Sequence, residues 1–220
     1  MNTNTKRTTV SAMLIAIATV LSMLKLFELP FGGTITFASM VPIVLIAFVY
    51  GTKWGLFSSL IYSFIQLILG VMTGIVSKMF LPGDEQMVLW KALSICFIDY
   101  ILAYLMLGFG GIFKGKMKDI RAIVCGAVFA TVFCWLMHVI SGYIFYGAWA
   151  DWFFREADGL SQIGVFRGFC NWVITNMHGN ILALFYSAVY NACYMLPETL
   201  ITAIIAPIVY SALKRTRLIK

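Results

Sequence analysis

Charged residues are scarce in this chain of 220 residues. Only 11% are Asp, Glu, Lys or Arg, whereas 61% are hydrophobic. Soluble domains usually carry about 25% charged residues, because their surface must face water. The composition therefore excludes an ordinary soluble enzyme or binding domain and predicts a polytopic membrane protein.

The sequence also lacks the short motifs of several chemistries. Its five cysteines include no Cys-x-x-Cys pair, and its two histidines, His138 and His178, lie far apart. We therefore predict no metal site, no disulfide framework and no resident cofactor. The sequence contains no Gly-x-x-x-x-Gly-Lys-Ser/Thr, His-Glu-x-x-His or Gly-x-Ser-x-Gly motif, which disfavours an ATPase or a hydrolase. An intramembrane enzyme with Asp99, His138 and Glu198 as acid–base groups is a minor alternative.

Apolar stretches of membrane-spanning length recur along the chain. We predict six spans, at Thr9–Leu29, Thr36–Tyr50, Trp54–Gly74, Leu89–Phe113, Ala122–Tyr146 and Ile181–Leu213. The predicted fold is an all-α integral membrane protein of the cell membrane, in which residues 1–220 form one domain. The first stretch is too long for a signal-peptide core and lacks a cleavage pattern, so we expect it to be retained.

The distribution of Lys and Arg predicts the orientation of the chain. With six spans both termini lie on one side, which carries eleven of the sixteen Lys and Arg residues. Cytoplasmic loops are enriched in these residues, so both termini are predicted to be cytoplasmic. Topology then explains much of the net charge of +7, and the basic tail at 214–220 suits membrane lipid rather than nucleic acid.

Residues 148–180 are too charged to span a membrane and are rich in aromatic side chains. Trp149 and Trp172 alternate there with charged residues such as Asp151 and Arg167. Such segments tend to lie at the membrane interface. We predict an outer interfacial insertion between helices five and six, with one or two short helices over the outer mouth.

Polar side chains inside the apolar spans indicate a ligand site, because membrane helices tolerate them mainly where they face a cavity or the bundle interior. On the sixth span, one arc of about 140° holds five such side chains. These residues are Tyr186, Tyr190, Asn191, Tyr194 and Glu198. Hydrogen bonding between helices is the alternative role for each of them.

A second polar face lies on the fifth span. Trp135, His138, Gly142, Tyr146 and Trp149 fall within about 80° of one another. We interpret this stripe as a slot for a flat ring, with Gly142 leaving room for it. The alternative is a set of interfacial aromatics with close helix packing at the glycine.

Asp99, followed by Tyr100, lies about ten residues into the fourth span. An uncompensated carboxylate at this depth costs roughly 2.5–3.5 kcal/mol. Lys91, two turns earlier, is one candidate partner. Otherwise Asp99 is available to bind a cation, with Tyr100, Tyr104, Tyr146 and Tyr190 as aromatic faces around it. The predicted ligand is cationic, flat and able to hydrogen-bond.

Six segments together carry a family resemblance. They are Ala12–Ala16, Ser39–Ile43, Gly51–Gly55, Asp99–Tyr100, His138–Gly147 and Tyr186–Glu198. They resemble the thiamine-specific substrate-binding component (S component) of energy-coupling factor (ECF) vitamin transporters. The resemblance implies a six-helix bundle that binds thiamine near the outer surface, beneath a lid formed by the first outer loop. It also implies docking on a transmembrane coupling subunit that two ATPase subunits drive.

The resemblance assigns roles to individual residues. It implies substrate binding by Asp99, Tyr100, His138, Gly142, Tyr146, Tyr186 and Asn191, and partner docking by Ala12 and Ala16. The family commonly has glutamate at Asp99, tryptophan at Tyr146 and, in some members, a lid tryptophan at Gly33 or Thr34. Another vitamin or a thiamine precursor is therefore an open alternative for the ligand.

Overall fold

The computed structural model describes residues 3–29, 32–83, 86–155 and 159–216. Within these ranges, five helices are long and apolar enough to cross a membrane, and a further apolar helix, Val41–Tyr50, is shorter. The predicted helical membrane fold is confirmed. The side of the membrane on which the termini lie stays a prediction.

The elements follow one another along the chain with short connections. In order they are α1 (Thr3–Met23), β1 (Lys25–Glu28), β2 (Thr34–Thr36), α2 (Val41–Tyr50), α3 (Thr52–Met72), α4 (Leu89–Ile95), a π-helical segment (Cys96–Leu102), α5 (Ala103–Leu105), a 3-10 segment (Met106–Gly111), α6 (Asp119–Tyr146), α7 (Ala150–Arg155), α8 (Arg167–Asn176) and α9 (Gly179–Arg215). Shorter 3-10 turns lie at Ser77–Met79, Gly147–Trp149, Leu160–Gln162 and Gly164–Phe166. The stretch from α4 to Gly111 forms one continuous apolar span.

The first connection folds as a β-hairpin, which the sequence analysis did not predict. Helix α1 ends at Met23, and β1 pairs antiparallel with β2. The predicted first span, which ran to Leu29, is therefore wrong beyond Met23, and the second begins at Val41 instead of Thr36. Hydropathy does not separate a short strand from the end of a helix, which explains the error.

Helix α2 lies in the core of the bundle. Its residues from Val41 to Phe48 are all buried. At 1.5 Å per residue, ten residues make a helix of about 15 Å, which is about half of a bilayer's hydrocarbon core. A helix that is apolar on every side lies in a protein core or in a membrane span. Helix α2 is therefore buried in the bundle, and it is shorter than the predicted span Thr36–Tyr50.

Contacts between the elements define two ends of the bundle. At one end, Lys114 Nζ donates to the carbonyl of Val49 at 2.6 Å. At the same end, Asp119 Oδ2 accepts from Tyr210 at 2.8 Å and from Lys214 at 2.7 Å. The chain reverses direction between successive members of the series α1, α2, α3, the stretch from α4 to Gly111, α6 and α9. The β-hairpin and helices α7 and α8 therefore lie at the opposite end, called the hairpin end below.

The described residues of the interval 148–180 include the two short helices α7 and α8. Phe153 and Phe154 of α7 are buried. The Phe153 ring packs edge-on against Tyr186 and Tyr190 of α9, with ring centroids 5.2 and 5.8 Å apart. Helix α7 therefore covers part of the tyrosine face of α9. That the interval is an outer interfacial insertion stays a prediction.

Candidate ligand-binding site

A cavity lies between the β-hairpin, α3, the π-helical segment, α6 and α9. Its lining includes all seven residues predicted to bind substrate: Asp99, Tyr100, His138, Gly142, Tyr146, Tyr186 and Asn191. Tyr190, Tyr194 and Glu198 line it as well. The fold thus brings the polar faces of three separate spans to one place, and ligand binding by these residues stays a prediction.

Asp99 occupies the middle of the π-helical segment Cys96–Leu102. Its Oδ1 lies 3.0 Å from Nδ1 of His138, and its Oδ2 accepts a hydrogen bond from Ser141 Oγ at 2.8 Å. Both partners belong to α6. Among the described residues, the side chains that bind this carboxylate are therefore those of α6, and Lys91, the partner considered from the sequence, is not one of them. Inserted π-helical turns are rare and frequently mark functional sites.

The imidazole of His138 is fixed by its neighbours. A carboxylate only accepts hydrogen bonds, so His138 carries hydrogen on Nδ1, which faces Asp99. The rings of Tyr104 and Tyr194 lie edge-on to it, with centroids 6.3 and 5.9 Å away.

The amide of Asn191 makes hydrogen bonds within the protein. Its Oδ1 accepts from the Tyr194 hydroxyl at 2.6 Å, and its Nδ2 donates to the Ser187 carbonyl at 2.8 Å. The same nitrogen lies 3.3 Å from the carbonyl of His138, on α6. Asn191 therefore joins α9 to α6, which is the alternative role that the sequence left open. A ligand that binds Asn191 would compete with these hydrogen bonds for the same amide.

Gly142 brings two helices together. A Cβ built on Gly142 would overlap Ser187 Oγ and would lie 3.2 Å from Asn191 Nδ2. Ser187 Oγ itself donates to the carbonyl of Val139 on α6 at 2.8 Å. Helix α9 therefore fills the space beside the glycine, which corrects the predicted gap for a flat ring. Small residues permit such close helix approach in membranes.

Two aromatic residues of the stripe predicted on the fifth span have packing roles. Trp135 Nε1 donates to the carbonyl of Ala188 on α9 at 3.3 Å. Trp149 lies edge-on to Trp152, with ring centroids 6.1 Å apart. Among the described residues, the cavity lining includes neither Trp135 nor Trp149. The slot prediction is thus wrong for these two side chains.

Sequence reasoning missed two parts of the site. Ser141 had no assigned role, although it lies three residues after His138 and so on the same helix face. The second part is a contact between the hairpin and α9, in which Glu198 Oε1 accepts from the hydroxyl of Thr36 at 2.6 Å and from its backbone N–H. Ser39 Oγ lies 2.7 Å from Thr36 Oγ1. No local pattern predicts a contact between residues so far apart in the chain.

The residues predicted to dock on a partner lie on the surface of α1. Ala12 and Ala16 are exposed, as are Met13 and Ile17 beside them. Small side chains on such a surface allow another helix to approach closely. Docking at this surface stays a prediction.

The fold and the cavity together define the class of protein. Apolar side chains cover the outside of the long helices, whereas polar and tyrosine side chains converge on one interior cavity. An integral membrane protein that holds a small molecule within its helix bundle has this arrangement. Comparison with known proteins identifies the family: residues 8–152, more than half of the chain, match the family described as thiamine transporter protein. The chain belongs to this family.

Individual relatives agree with this assignment. The thiamine transporter ThiT of Bacillus subtilis (strain 168) is 27% identical over 198 residues, which cover 86% of this chain and 80% of the relative. A solved structure of ThiT from Listeria monocytogenes has the same fold, with a TM-score of 0.64 and 22% identity over 97% of this chain and 98% of that one. The expected family and the multi-pass membrane location are therefore confirmed.

Proposed function

We propose that this chain is the thiamine-binding component of an energy-coupling factor transporter. It binds thiamine from the outer face and delivers it inward after docking on a transmembrane coupling subunit, which two ATPase subunits drive. Its role is binding and delivery, without catalysis and without a resident cofactor. Membership of the thiamine transporter family supports thiamine as the ligand. The resemblance of the six quoted segments to S components supports the coupling subunit and the ATPase subunits as partners.

The carboxylate of Asp99 is the observation that carries this proposal. Its two oxygens are held by His138 and Ser141 inside the bundle. The serine hydroxyl carries no charge, and the Asp99 carboxylate is the negatively charged group of this cluster. The thiazolium ring of thiamine carries a permanent positive charge, and opposite charges attract more strongly in a site of low dielectric constant than in water.

Aromatic rings beside this carboxylate support a flat ligand. Tyr100, Tyr146, Tyr186 and Tyr190 all line the cavity. The rings of Tyr186 and Tyr190 lie 5.8 Å apart, tilted by 42°. Such faces attract cations and pack against aromatic heterocycles, while their hydroxyls hydrogen-bond to polar edges. Thiamine combines a cationic ring, an aminopyrimidine ring and polar edges.

The β-hairpin is positioned to act as a lid. Gly32, Gly33 and Thr34 line the cavity. A Cβ built on Gly33 would lie 2.7 Å from Cδ1 of Tyr194, so the hairpin backbone packs directly on this ring. Loops that close over a site exclude water and retain the ligand. We infer that opening of this contact admits thiamine.

Mass spectrometry of the small molecule that co-purifies with the detergent-solubilised protein tests this proposal. We expect thiamine in the wild-type protein and in Asp151→Asn, an exposed control on α7, and its loss from Asp99→Asn. A different vitamin or a thiamine precursor in the wild-type protein would contradict the proposed ligand. A wild-type protein that carries no small molecule and binds no added thiamine would contradict the binding role.

A further inference from the structure

The cavity has a second polar region, separate from the Asp99 cluster. Its lining includes Ser22 of α1, Thr36 of β2, Ser39, Gln66 of α3 and Glu198 of α9. Gln66 Nε2 donates to Ser22 Oγ at 2.9 Å, and Ser22 Oγ donates to the carbonyl of Thr19 at 2.7 Å. The carboxyl group of Glu198, by contrast, has one oxygen without a hydrogen-bond partner among the described residues.

Glu198 has one engaged oxygen and one unpartnered oxygen. Oε1 accepts from the hydroxyl of Thr36 at 2.6 Å and from the Thr36 N–H. Oε2 is buried and has no hydrogen-bond partner among the described residues. The side chain is only 1% exposed, so bulk water does not supply the missing donor. A buried polar atom without a partner is rare in native proteins and indicates a missing ligand or a functional role.

The backbone beside this carboxyl group is held in an unusual conformation. Ala38 has a φ of +64° and is buried. A residue other than glycine persists in this region when its surroundings determine the conformation, and such residues cluster at ligand sites. The bonds among Thr36, Ser39 and Glu198 supply those surroundings. The position of the Glu198 carboxyl group is therefore determined by the fold.

The distance along α9 suits a ligand that touches both regions. Glu198 lies seven residues after Asn191, which is about 10 Å along a helix axis. Asn191 is level with the Asp99 cluster, because its Nδ2 lies 3.3 Å from the carbonyl of His138. The hydroxyethyl arm of thiamine extends from the thiazolium ring, away from the pyrimidine. A ligand whose cation faces Asp99 can therefore direct its hydroxyl towards Glu198.

We propose that Glu198 Oε2 forms a second ligand subsite, which accepts a hydrogen bond from the hydroxyl of the hydroxyethyl arm. This inference rests on the proposed function, since it takes thiamine as the ligand. The same carboxyl group holds Thr36 through Oε1. A ligand bound at Oε2 therefore also stabilises the attachment of the hairpin to α9.

Titration calorimetry with two ligands tests the subsite. The ligands are thiamine and the analogue in which hydrogen replaces the hydroxyl, and the proteins are wild type and Glu198→Met, which keeps the length of the side chain and removes both acceptors. A site that pairs with a ligand hydroxyl discriminates against the analogue that lacks it. We expect the wild type to prefer thiamine by at least about tenfold, and Glu198→Met to prefer it by less than about twofold.

Two further variants separate the subsite from the hairpin contact. Thr36→Val removes the hydroxyl that binds Oε1 and leaves Oε2, so both affinities should fall together with an unchanged ratio. Thr202→Val, one turn after Glu198, removes a buried hydroxyl that has no partner among the described residues and that lies outside the cavity lining. This control should keep both affinities.

The outcomes distinguish the subsite from the proposed function. Equal wild-type affinities for the two ligands would overturn the subsite and leave thiamine binding in place, and this comparison does not depend on whether Glu198→Met folds. An unchanged preference in a folded Glu198→Met protein would overturn it too. A wild-type protein that binds no thiamine would overturn the proposed function and this inference with it.

Discussion

The hydroxyl of Tyr194 donates to Oδ1 of Asn191 at 2.6 Å in the interior of the bundle. The amide nitrogen of Asn191 donates to Ser187 at 2.8 Å and lies 3.3 Å from the carbonyl of His138. One amide therefore orients a tyrosine of the cavity and joins α9 to α6. If Asn191 only joins helices, replacing it should lower stability alone. If Asn191 also hydrogen-bonds to the ligand, the same replacement should change ligand preference as well.

Asn191→Leu should affect both stability and ligand choice. Loss of the acceptor leaves the Tyr194 hydroxyl buried without a partner, which costs about 1–3 kcal/mol and lowers the thermal stability of the empty protein. We expect thiamine binding to weaken by at least about tenfold. The preference for thiamine over the analogue without the pyrimidine amine should also shrink. Lower stability with an unchanged ratio of affinities would leave Asn191 with the helix-joining role alone.

Ala16→Trp should separate binding from transport. Ala16 is exposed on α1, away from the cavity lining. A bulky side chain there blocks the close approach of another helix. We expect nearly wild-type thiamine affinity, together with loss of co-purification with the coupling subunit and loss of uptake in cells. Leu200→Trp, at an exposed position of α9, is the matched control and should retain both. Normal uptake by Ala16→Trp would exclude this surface from docking.

Gly33→Ala should weaken the closure of the hairpin over the cavity. The added Cβ would lie 2.7 Å from Cδ1 of Tyr194 and 3.2 Å from the Tyr190 hydroxyl. Overpacking of this kind costs about 1–3 kcal/mol, so we expect roughly tenfold faster dissociation of thiamine in stopped-flow measurements. Gly168→Ala, where no heavy atom lies within 4 Å of the added Cβ, should keep the wild-type rate. Equal rates for the two variants would argue against the hairpin as a lid.

Much of the fold and of the site can be predicted from local sequence features. Long apolar runs predict α3, α6 and α9 to within a few residues, because a bilayer requires helices of that length. Asp99 and His138 stand out because polar groups in apolar spans need a partner. The structure makes them partners of one another, at 3.0 Å.

The remaining features depend on contacts that no local pattern encodes. Strand β1 occupies residues that hydropathy assigned to the end of the first span. The bond between Thr36 and Glu198 joins residues 162 positions apart. The space beside Gly142 is filled by Ser187 of another helix. Each of these features arises from tertiary packing, which one-dimensional periodicity does not describe.

The central claim is that the cavity binds thiamine through the attraction between its cationic ring and Asp99, and calorimetric titration of Asp99→Asn tests it most directly. This change keeps the shape of the side chain and removes the charge. Loss of one member of a desolvated charge pair costs about 2–5 kcal/mol, so thiamine affinity should fall by roughly 30-fold or more. The exposed control Asp151→Asn should bind as tightly as the wild type. A loss of less than about threefold in Asp99→Asn would contradict the account.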